Sequence, residues 1–145
     1  MKLKVEKFLY KNKELLKEAF KIRKEVFTEE QNTREEEEFD GLDVNATHFL
    51  IFSDGNPVGT SRVRTTNEGI KIERFAIRKK FRGKYIGAKL FEEIMQAILP
   101  LNQKTYLNSQ VQAMKFYEKF GFKKTGKLFF EANIKHCKMV YSEKR

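Results

Sequence analysis

Apolar residues that either alternate with polar ones or form short runs mark seven segments of the chain, which predicts seven β-strands. The segments are 2–8, 48–52, 58–64, 70–77, 104–108, 122–130 and 134–142. Turns rich in Asn, Asp and Gly separate the second, third and fourth segments. We therefore expect these three strands to form a meander.

Apolar residues recur at helical spacing in three further segments, 13–27, 86–98 and 110–120. Asn12 is a suitable N-cap for the first helix, Pro100 stops the second and Gly121 follows the third. The acidic stretch 28–43 is expected to be a loop or a broken helix. The order of elements predicts an α/β (α+β) fold, in which a mixed sheet carries helices on both faces in one domain over residues 1–145.

Length and composition limit the class of protein. The 145 residues are enough to bury the core of one domain. The chain begins without an apolar signal region and lacks an apolar run of about 18 residues, so we expect a cytoplasmic protein without a membrane partner. The single cysteine, Cys137, is expected in a strand core, and no zinc-ligand spacing exists around His48 and His136.

The net charge of +10 is unevenly distributed along the chain. Residues 25–43 hold nine acids and one base, a net charge of −8, whereas the other residues carry a net charge of +18. Such a basic body attracts nucleic acid or a phosphate-bearing cofactor. No nucleic-acid recognition motif is visible, so we expect no specific nucleic-acid partner, although a basic nucleic-acid-binding module remains the alternative.

The segment from Ile72 to Gly87 predicts a phosphate site. A strand ends at the basic turn 78–82, and Gly83 and Gly87 then frame the start of a helix. Free backbone N–H groups and the positive end of the helix dipole favour an anion at such a place. The alternative is a basic surface turn without a ligand.

The segment 104–122 predicts a second part of the same site. A strand, a crossover helix and another strand suggest a parallel arrangement in which neighbouring strands separate, and ligands bind at the carboxyl ends of such strands. Tyr117 follows the expected core residue Phe116, so its ring can pack inward while its hydroxyl reaches the cleft. A phenol there can protonate a leaving group. An ordinary half-buried tyrosine is the alternative.

These two segments together resemble the hallmarks of the GNAT family of N-acetyltransferases. RKKFRGKYIG is similar to the family's acyl-CoA loop, Gln/Arg-x-x-Gly-x-Gly/Ala, with Arg82 and Gly87 at its ends. Tyr85 stands where the family has its middle glycine. The resemblance implies that the family uses backbone N–H groups there, which any residue except proline supplies if its backbone angles stay helical. SQVQAMKFYEKFGF is similar to the second hallmark, which it matches at Gln110, Ala113, Phe116, Tyr117, Gly121 and Phe122.

The acidic segment carries a subgroup resemblance. VFTEEQNTREEEEFDGLDVNATHFL is similar to a segment of bacterial family members of the ElaA and YjcF type, in which spaced Glu-Gln, acidic and His positions recur. Those proteins usually have Val-Pro after the Glu-Gln-x element, where this chain has Thr33 and Arg34.

The resemblance implies a mostly antiparallel twisted sheet with one splayed parallel strand pair, and acetyl-CoA as the cofactor. It implies an N-acetyltransferase whose primary-amine acceptor, a small molecule, attacks the thioester directly. Tyr117 would protonate the departing thiolate, the N–H of Ile77 would polarise the carbonyl, and Lys79 and Lys80 would lie near the nucleotide phosphates. The implied cofactor-binding residues are Phe75, Ala76, Ile77, Arg82, Gly83, Lys84, Tyr85, Ile86, Gly87, Ala88, Asn108, Gln110 and Phe116.

Glu73 is the candidate general base. It lies in IERFAI, which is similar to the IEDIAV segment of glucosamine-phosphate acetyltransferases, where the corresponding glutamate lies near the amine. The alternative is an exposed strand glutamate paired with nearby arginines. His48 is a second candidate base, and the amine could also lose its proton to solvent.

The acceptor is less well specified. The acidic segment overhangs the acceptor site in this fold, which favours a cationic acceptor, unless the glutamates form a solvated helix turn. Arg62 and Arg64 instead suggest an acceptor carboxylate or phosphate. The candidate substrate-binding residues are Arg62, Arg64, Glu30, Gln31 and His48. An acyl-CoA-binding sensor without catalysis is an alternative function, and relatives often form homodimers.

Overall fold

The strands of the computed structural model, which describes residues 1–142, form one sheet. They are β1 (Leu3–Leu9), β2 (Thr47–Ser53), β3 (Asn56–Thr65), β4 (Ile70–Ile77), β5 (Thr105–Gln110), β6 (Phe122–Glu131) and β7 (Ile134–Tyr141). Their spatial order is β1-β2-β3-β4-β5-β7-β6, and every neighbouring pair except β4–β5 is antiparallel. The seven predicted strands and the central meander are confirmed.

The helices are α1 (Lys13–Arg23), α2 (Glu35–Glu38), α3 (Ile86–Ile98) and α4 (Met114–Glu118). The helix predicted over 13–27 is α-helical only to Arg23 and continues as a π-helix over Lys24–Glu30. The helix predicted over 110–120 is shorter, because β5 pairs with β7 as far as Gln110 and a 3₁₀ turn over Val111–Ala113 precedes α4. None of the helices among residues 1–142 is long and apolar enough to cross a membrane.

Helices pack on both faces of the sheet, as predicted. On one face, hereafter the α1 face, Leu16, Ala19 and Ile22 of α1 are buried against the strands. On the opposite α3 face, helices α3 and α4 cover a larger apolar core that includes Leu90 and Phe91. Burial of these two faces supplies most of the hydrophobic stabilisation of the fold. Cys137 is completely buried in this sheet, which confirms its predicted core position.

The parallel pair β4–β5 is short and then separates. Residues of the two strands are paired only from Ile70 with Thr105 to Ile72 with Leu107. Beyond that point β5 continues along β7, while β4 continues along β3 through a bulge at which Arg74 adopts a positive φ of 53°. The predicted splayed pair is therefore present, and a gap opens at the carboxyl ends of the two strands.

Candidate active site

The gap exposes the backbone of alternate residues of β4. In an antiparallel pair, hydrogen-bonded and non-hydrogen-bonded positions alternate. Because the N–H of Arg78 donates to the carbonyl of Val58, the backbone of Ala76 is turned toward β3 and that of Ile77 toward the gap. Phe75 faces the gap for the same reason. The gap-facing groups are therefore those of Phe75 and Ile77, whereas Ala76, which the sequence grouped with them, uses its backbone within the sheet.

The loop after β4 presents a row of free backbone donors. Within residues 1–142, none of the N–H groups from Gly83 to Ala88 donates a hydrogen bond, and the first helical bond of α3 is donated by Lys89 to the carbonyl of Tyr85. Gly83 has a φ of +76°, a conformation that glycine adopts without strain. The unpaired N–H groups and the dipole of α3 make this loop suitable for an anion.

Tyr85 differs from the expectation for this loop. Its backbone is left-handed, with φ 64° and ψ 6°, and its side chain is 86% exposed. The backbone of Tyr85 thus does not have right-handed helical angles, since the turn into α3 requires a positive φ. That requirement gives a physical reason for a glycine at this position, because a Cβ atom makes the left-handed conformation unfavourable.

Arg82 serves the architecture of the loop rather than pointing into the row of donors. Its Nε donates to the carbonyl of Ile77 at 2.8 Å, and its two terminal nitrogens donate to the Glu30 carboxylate at 2.6 and 2.7 Å. The hydrogen bond from Arg82 lowers the pKa of Glu30. The positive charges left exposed around this loop are those of Lys79, Lys80 and Lys84.

Tyr117 lies in α4 at the base of the gap. It is 8% exposed, and its ring contacts those of Phe91, Phe116 and Phe75, with centroids 5.3, 5.1 and 6.1 Å away. Phe116 is only half-buried, so the tyrosine is the more deeply packed of the two. Burial raises the pKa of Tyr117, which keeps the phenol protonated at neutral pH.

Neutral amides occupy the β5 side of the gap on the α1 face. Asn108 and Gln110 follow the last residue that pairs with β4, and strand alternation places them on one face. The amides of Gln110 and Gln31 donate to each other, at 3.0 and 3.3 Å. The structure thus brings two residues predicted for different roles, Gln31 and Gln110, into direct contact.

Glu73 is part of a buried ionic cluster. Its carboxylate accepts hydrogen bonds from Arg62 and Arg64, at 2.8, 2.9 and 2.7 Å, and pairs with Lys71 at 3.1 Å. Burial alone would raise the pKa of Glu73, but the hydrogen bonds and charges of Arg64, Arg62 and Lys71 outweigh it and lower the pKa to about 2. Such a weakly basic carboxylate does not favour the role of general base, and it leaves Arg62 and Arg64 engaged rather than free for an acceptor.

The same cluster continues into the acidic segment. Arg62 also binds Asp40 and Asp43, while the fully buried Arg23 donates to Glu38 and Asp43 at 2.6 Å each. Burial would raise the pKa of Asp43, but Arg23 and Arg62 lower it. Since these three acids neutralise buried arginines, they give no support for a cationic acceptor.

His48 lies behind this cluster and away from the gap. The residue is buried, its ring stacks on Phe8, and its Nε2 is 3.0 Å from the carbonyl oxygen of Asp43. Burial lowers the pKa of His48. This position matches a structural histidine and offers no route to an acceptor amine.

Arg23 and Glu38 were not among the residues that the sequence analysis selected. The one available signal was spacing, because Arg23 lies four residues after Ala19 and seven after Leu16, on the buried stripe of α1. A lysine or arginine at such a position needs a buried partner, which the pattern of a single helix does not identify.

Comparisons with known proteins agree with this geometry. Residues 10–143 match the model of the acetyltransferase (GNAT) domain family. The uncharacterised N-acetyltransferase YjcF of Bacillus subtilis (strain 168) is 36% identical over 132 residues, which is 90% of this chain and 94% of YjcF. This likeness confirms the resemblance to the YjcF type.

Solved structures share the fold at lower identity. Escherichia coli ElaA has a TM-score of 0.88 at 21% identity, over 97% of this chain and 100% of that chain. An aminoglycoside 6′-N-acetyltransferase complexed with coenzyme A has a TM-score of 0.74 at 14% identity, over 94% of this chain and 95% of that chain. The domain match, the YjcF likeness and the shared fold lead to one conclusion: this chain belongs to the GNAT family of acetyltransferases.

Proposed function

We propose that this protein transfers the acetyl group of acetyl-CoA to a small primary amine by direct attack. Membership of the GNAT family supports an acyl-CoA-dependent N-acetyltransferase, and a protein with this fold binds coenzyme A. The observation that carries the proposal is the gap between β4 and β5 beside the free N–H groups of Gly83–Ala88. An extended pantetheine arm fits the first feature and a pyrophosphate the second.

The cofactor would lie along β4 and end on the loop. The pantetheine amides would pair with the gap-facing backbone of Phe75 and Ile77, beside the half-buried ring of Phe116. The pyrophosphate would accept hydrogen bonds from the N–H groups of Gly83–Ala88, and the exposed Lys79, Lys80 and Lys84 would neutralise the nucleotide phosphates. Asn108 and Gln110 would border the thioester from the β5 side.

The chemistry requires one bond to form and another to break. The amine nitrogen attacks the thioester carbon, a gap-facing N–H group of β4 stabilises the developing oxyanion, and the C–S bond then breaks. Tyr117 donates its proton to the departing thiolate sulfur. At neutral pH the phenol is protonated and can supply this proton, while the burial that raises the pKa of Tyr117 makes it a weaker acid than a free tyrosine.

The amine itself would lose its proton to water. Glu73 is held ionised by three cations, and the buried His48 lies away from the gap. We therefore propose no dedicated protein base. The rate should then rise with pH as the neutral amine becomes more abundant.

Two linked measurements test the proposal. Acetyl-CoA and free CoA should each stabilise the folded protein by about 2.7 kcal/mol at a hundredfold excess over Kd. The stabilisation is measured as a rise in melting temperature. In Tyr117→Phe that shift should persist, whereas acetyl transfer to a panel of primary amines should fall roughly a hundredfold or more, because the general acid is lost.

Unchanged turnover in Tyr117→Phe would remove Tyr117 from the mechanism. The absence of a shift with either form of CoA, together with a salt-sensitive shift with a short RNA, would contradict the acetyltransferase proposal and favour nucleic-acid binding. Cofactor binding without transfer to any amine would favour the sensor alternative.

A further inference from the structure

Two consecutive residues at the end of the π-helix connect both sides of the gap. Glu30 binds Arg82, which is itself attached to the carbonyl of Ile77 at the end of β4. Gln31 binds Gln110, the last residue of β5. Because β4 and β5 are unpaired at this level, these contacts form a bridge over the open end of the gap on the α1 face. We call Glu30 and Gln31 the bridge.

The two ends of the bridge differ in strength. The Glu30 end is a charged, bidentate contact with 2.6 and 2.7 Å distances, and the arginine has a third hydrogen bond to β4. The Gln31 end consists of two hydrogen bonds between neutral amides, at 3.0 and 3.3 Å. Charge-assisted bidentate pairs are considerably stronger than neutral ones, so the bridge separates from β5 before it separates from β4.

The surroundings of Gln31 suit such a release. Asn32, the next residue, has a positive φ of 61°, which breaks the helical path directly after the bridge. On the β5 side, Gln112 donates to the amide oxygen of Gln110 at 2.6 Å. That oxygen therefore keeps a hydrogen bond when Gln31 leaves, which lowers the cost of opening.

The bridge covers the side of the gap that the aromatic residues leave open. Phe75, Phe116 and Tyr117 fill the α3 face at the base of the gap. An acceptor amine that approaches the thioester must then come from the α1 face, where the bridge lies. Water must use the same route.

We propose that the amide pair Gln31–Gln110 is a gate that closes the thioester to water and opens to admit the acceptor amine. The inference rests on the proposed function, since a thioester must occupy the gap. In the closed state the gate shields the thioester, and opening at Gln31 leaves Glu30 attached to Arg82. Gln31 and Gln110 control access to the thioester and take no part in bond making.

The gate has a measurable consequence without any knowledge of the acceptor. When the gate is open and no amine is present, water attacks the thioester carbon, the C–S bond breaks, and acetate and free CoA thiol are released. Removing the Gln31 amide should favour the open state. Hydrolysis of acetyl-CoA by Gln31→Ala should therefore rise, by roughly five- to a hundredfold for the loss of two neutral hydrogen bonds.

The experiment follows CoA thiol release from acetyl-CoA, without amine, for the wild type, Gln31→Ala, Gln110→Ala and the double variant. Each single variant should hydrolyse acetyl-CoA faster than the wild type. The double variant should be no faster than either single variant, because all three remove the same contact. Glu35→Gln is the matched control, since Glu35 lies in the same acidic segment but its side chain makes, within residues 1–142, only an exposed 3.7 Å pair with Lys24. It should hydrolyse acetyl-CoA at the wild-type rate.

The acetyl-CoA dissociation constant and the urea midpoint are measured for each variant, so that misfolding is recognised directly. If Gln31→Ala binds acetyl-CoA but hydrolyses it at the wild-type rate, the gate proposal is overturned and the proposed function is not. Additive effects in the double variant would also overturn it. Absence of acetyl-CoA binding by the wild type would overturn the proposed function and the gate together.

Discussion

At the scale of single residues, Tyr85 combines two unfavourable properties. Its backbone is left-handed, which costs an L-residue roughly 1–2 kcal/mol. Its ring is 86% exposed, so packing offsets little of that cost. The stability of the chain is therefore not the reason for a tyrosine here, and the N–H group that it presents beside α3 does not depend on its side chain.

We expect Tyr85→Gly to be more stable than Tyr85→Ala by about 1 kcal/mol. Both variants lack the ring, and only glycine relieves the left-handed strain, partly offset by the greater freedom of glycine in the unfolded chain. Urea unfolding of the two proteins measures the difference. Equal stabilities would mean that this turn is not left-handed in solution.

At the scale of elements, buried charges join the helices of the α1 face to the sheet. Arg23 comes from α1, Glu38 from α2, Asp43 from the following loop, and Arg62 and Glu73 from β3 and β4. The short helix α2 has no apolar face of its own, since its sequence is four glutamates. Its position therefore depends on the ion pairs that Glu38 makes with Arg23 and Arg74.

Arg23→Met should destabilise the protein by about 3–5 kcal/mol, because it leaves the carboxylates of Glu38 and Asp43 buried with fewer partners. The neighbouring Lys24→Met is the matched control. Lys24 makes an exposed pair with Glu35, so its loss should cost less than about 1 kcal/mol. Urea unfolding at neutral pH compares them, and similar losses for both would contradict a stabilising role for the cluster.

At the scale of the whole molecule, folding redistributes the charge seen along the chain. The acidic segment appears in sequence as a block with net charge −8, yet three of its acids turn inward to arginines. The folded pKa values of Asp40, Asp43 and Glu73 are lowered, in each case because arginine contacts outweigh burial. The pKa of Glu38 is shifted in the opposite direction, because burial raises it.

Stability should therefore fall in acid. A carboxyl with a lowered folded pKa stabilises the protein fully above its unfolded pKa, about 3.9 for Asp and 4.3 for Glu, and this contribution disappears as the pH falls through the folded value. For Glu73 the window runs from about pH 4.3 to about 2. Protonation of Glu38 offsets part of the loss.

The free energy of unfolding, measured with urea at steps from pH 6 to pH 2, should decrease through that window. Glu73→Gln should be less stable at neutral pH and should lose less stability on acidification, because one of the titrating groups is absent. An identical pH dependence in the two proteins would show that Glu73 does not carry the effect.

The sequence by itself determined the features that depend on local pattern. Alternation and short apolar runs located the seven strands, and the spacing of Ile86, Leu90, Ile94 and Ile98 located α3. The basic glycine loop was recognisable because a strand, a turn and a helix start follow one another directly in the chain. The inward packing of the Tyr117 ring was predictable for the same reason, since helical spacing reports which side of a helix is buried.

The tertiary structure alone decided which charged and polar groups meet. Arg23 and Glu38 lie 15 residues apart, Glu30 and Arg82 lie 52 apart, and Gln31 and Gln110 lie 79 apart. No local period connects such positions, so the sequence did not show that three acids of the acidic segment, Glu38, Asp40 and Asp43, are partners of buried arginines. The left-handed turn at Tyr85 and the length of the β4–β5 pairing were decided at this level too, because both depend on how separate elements pack together.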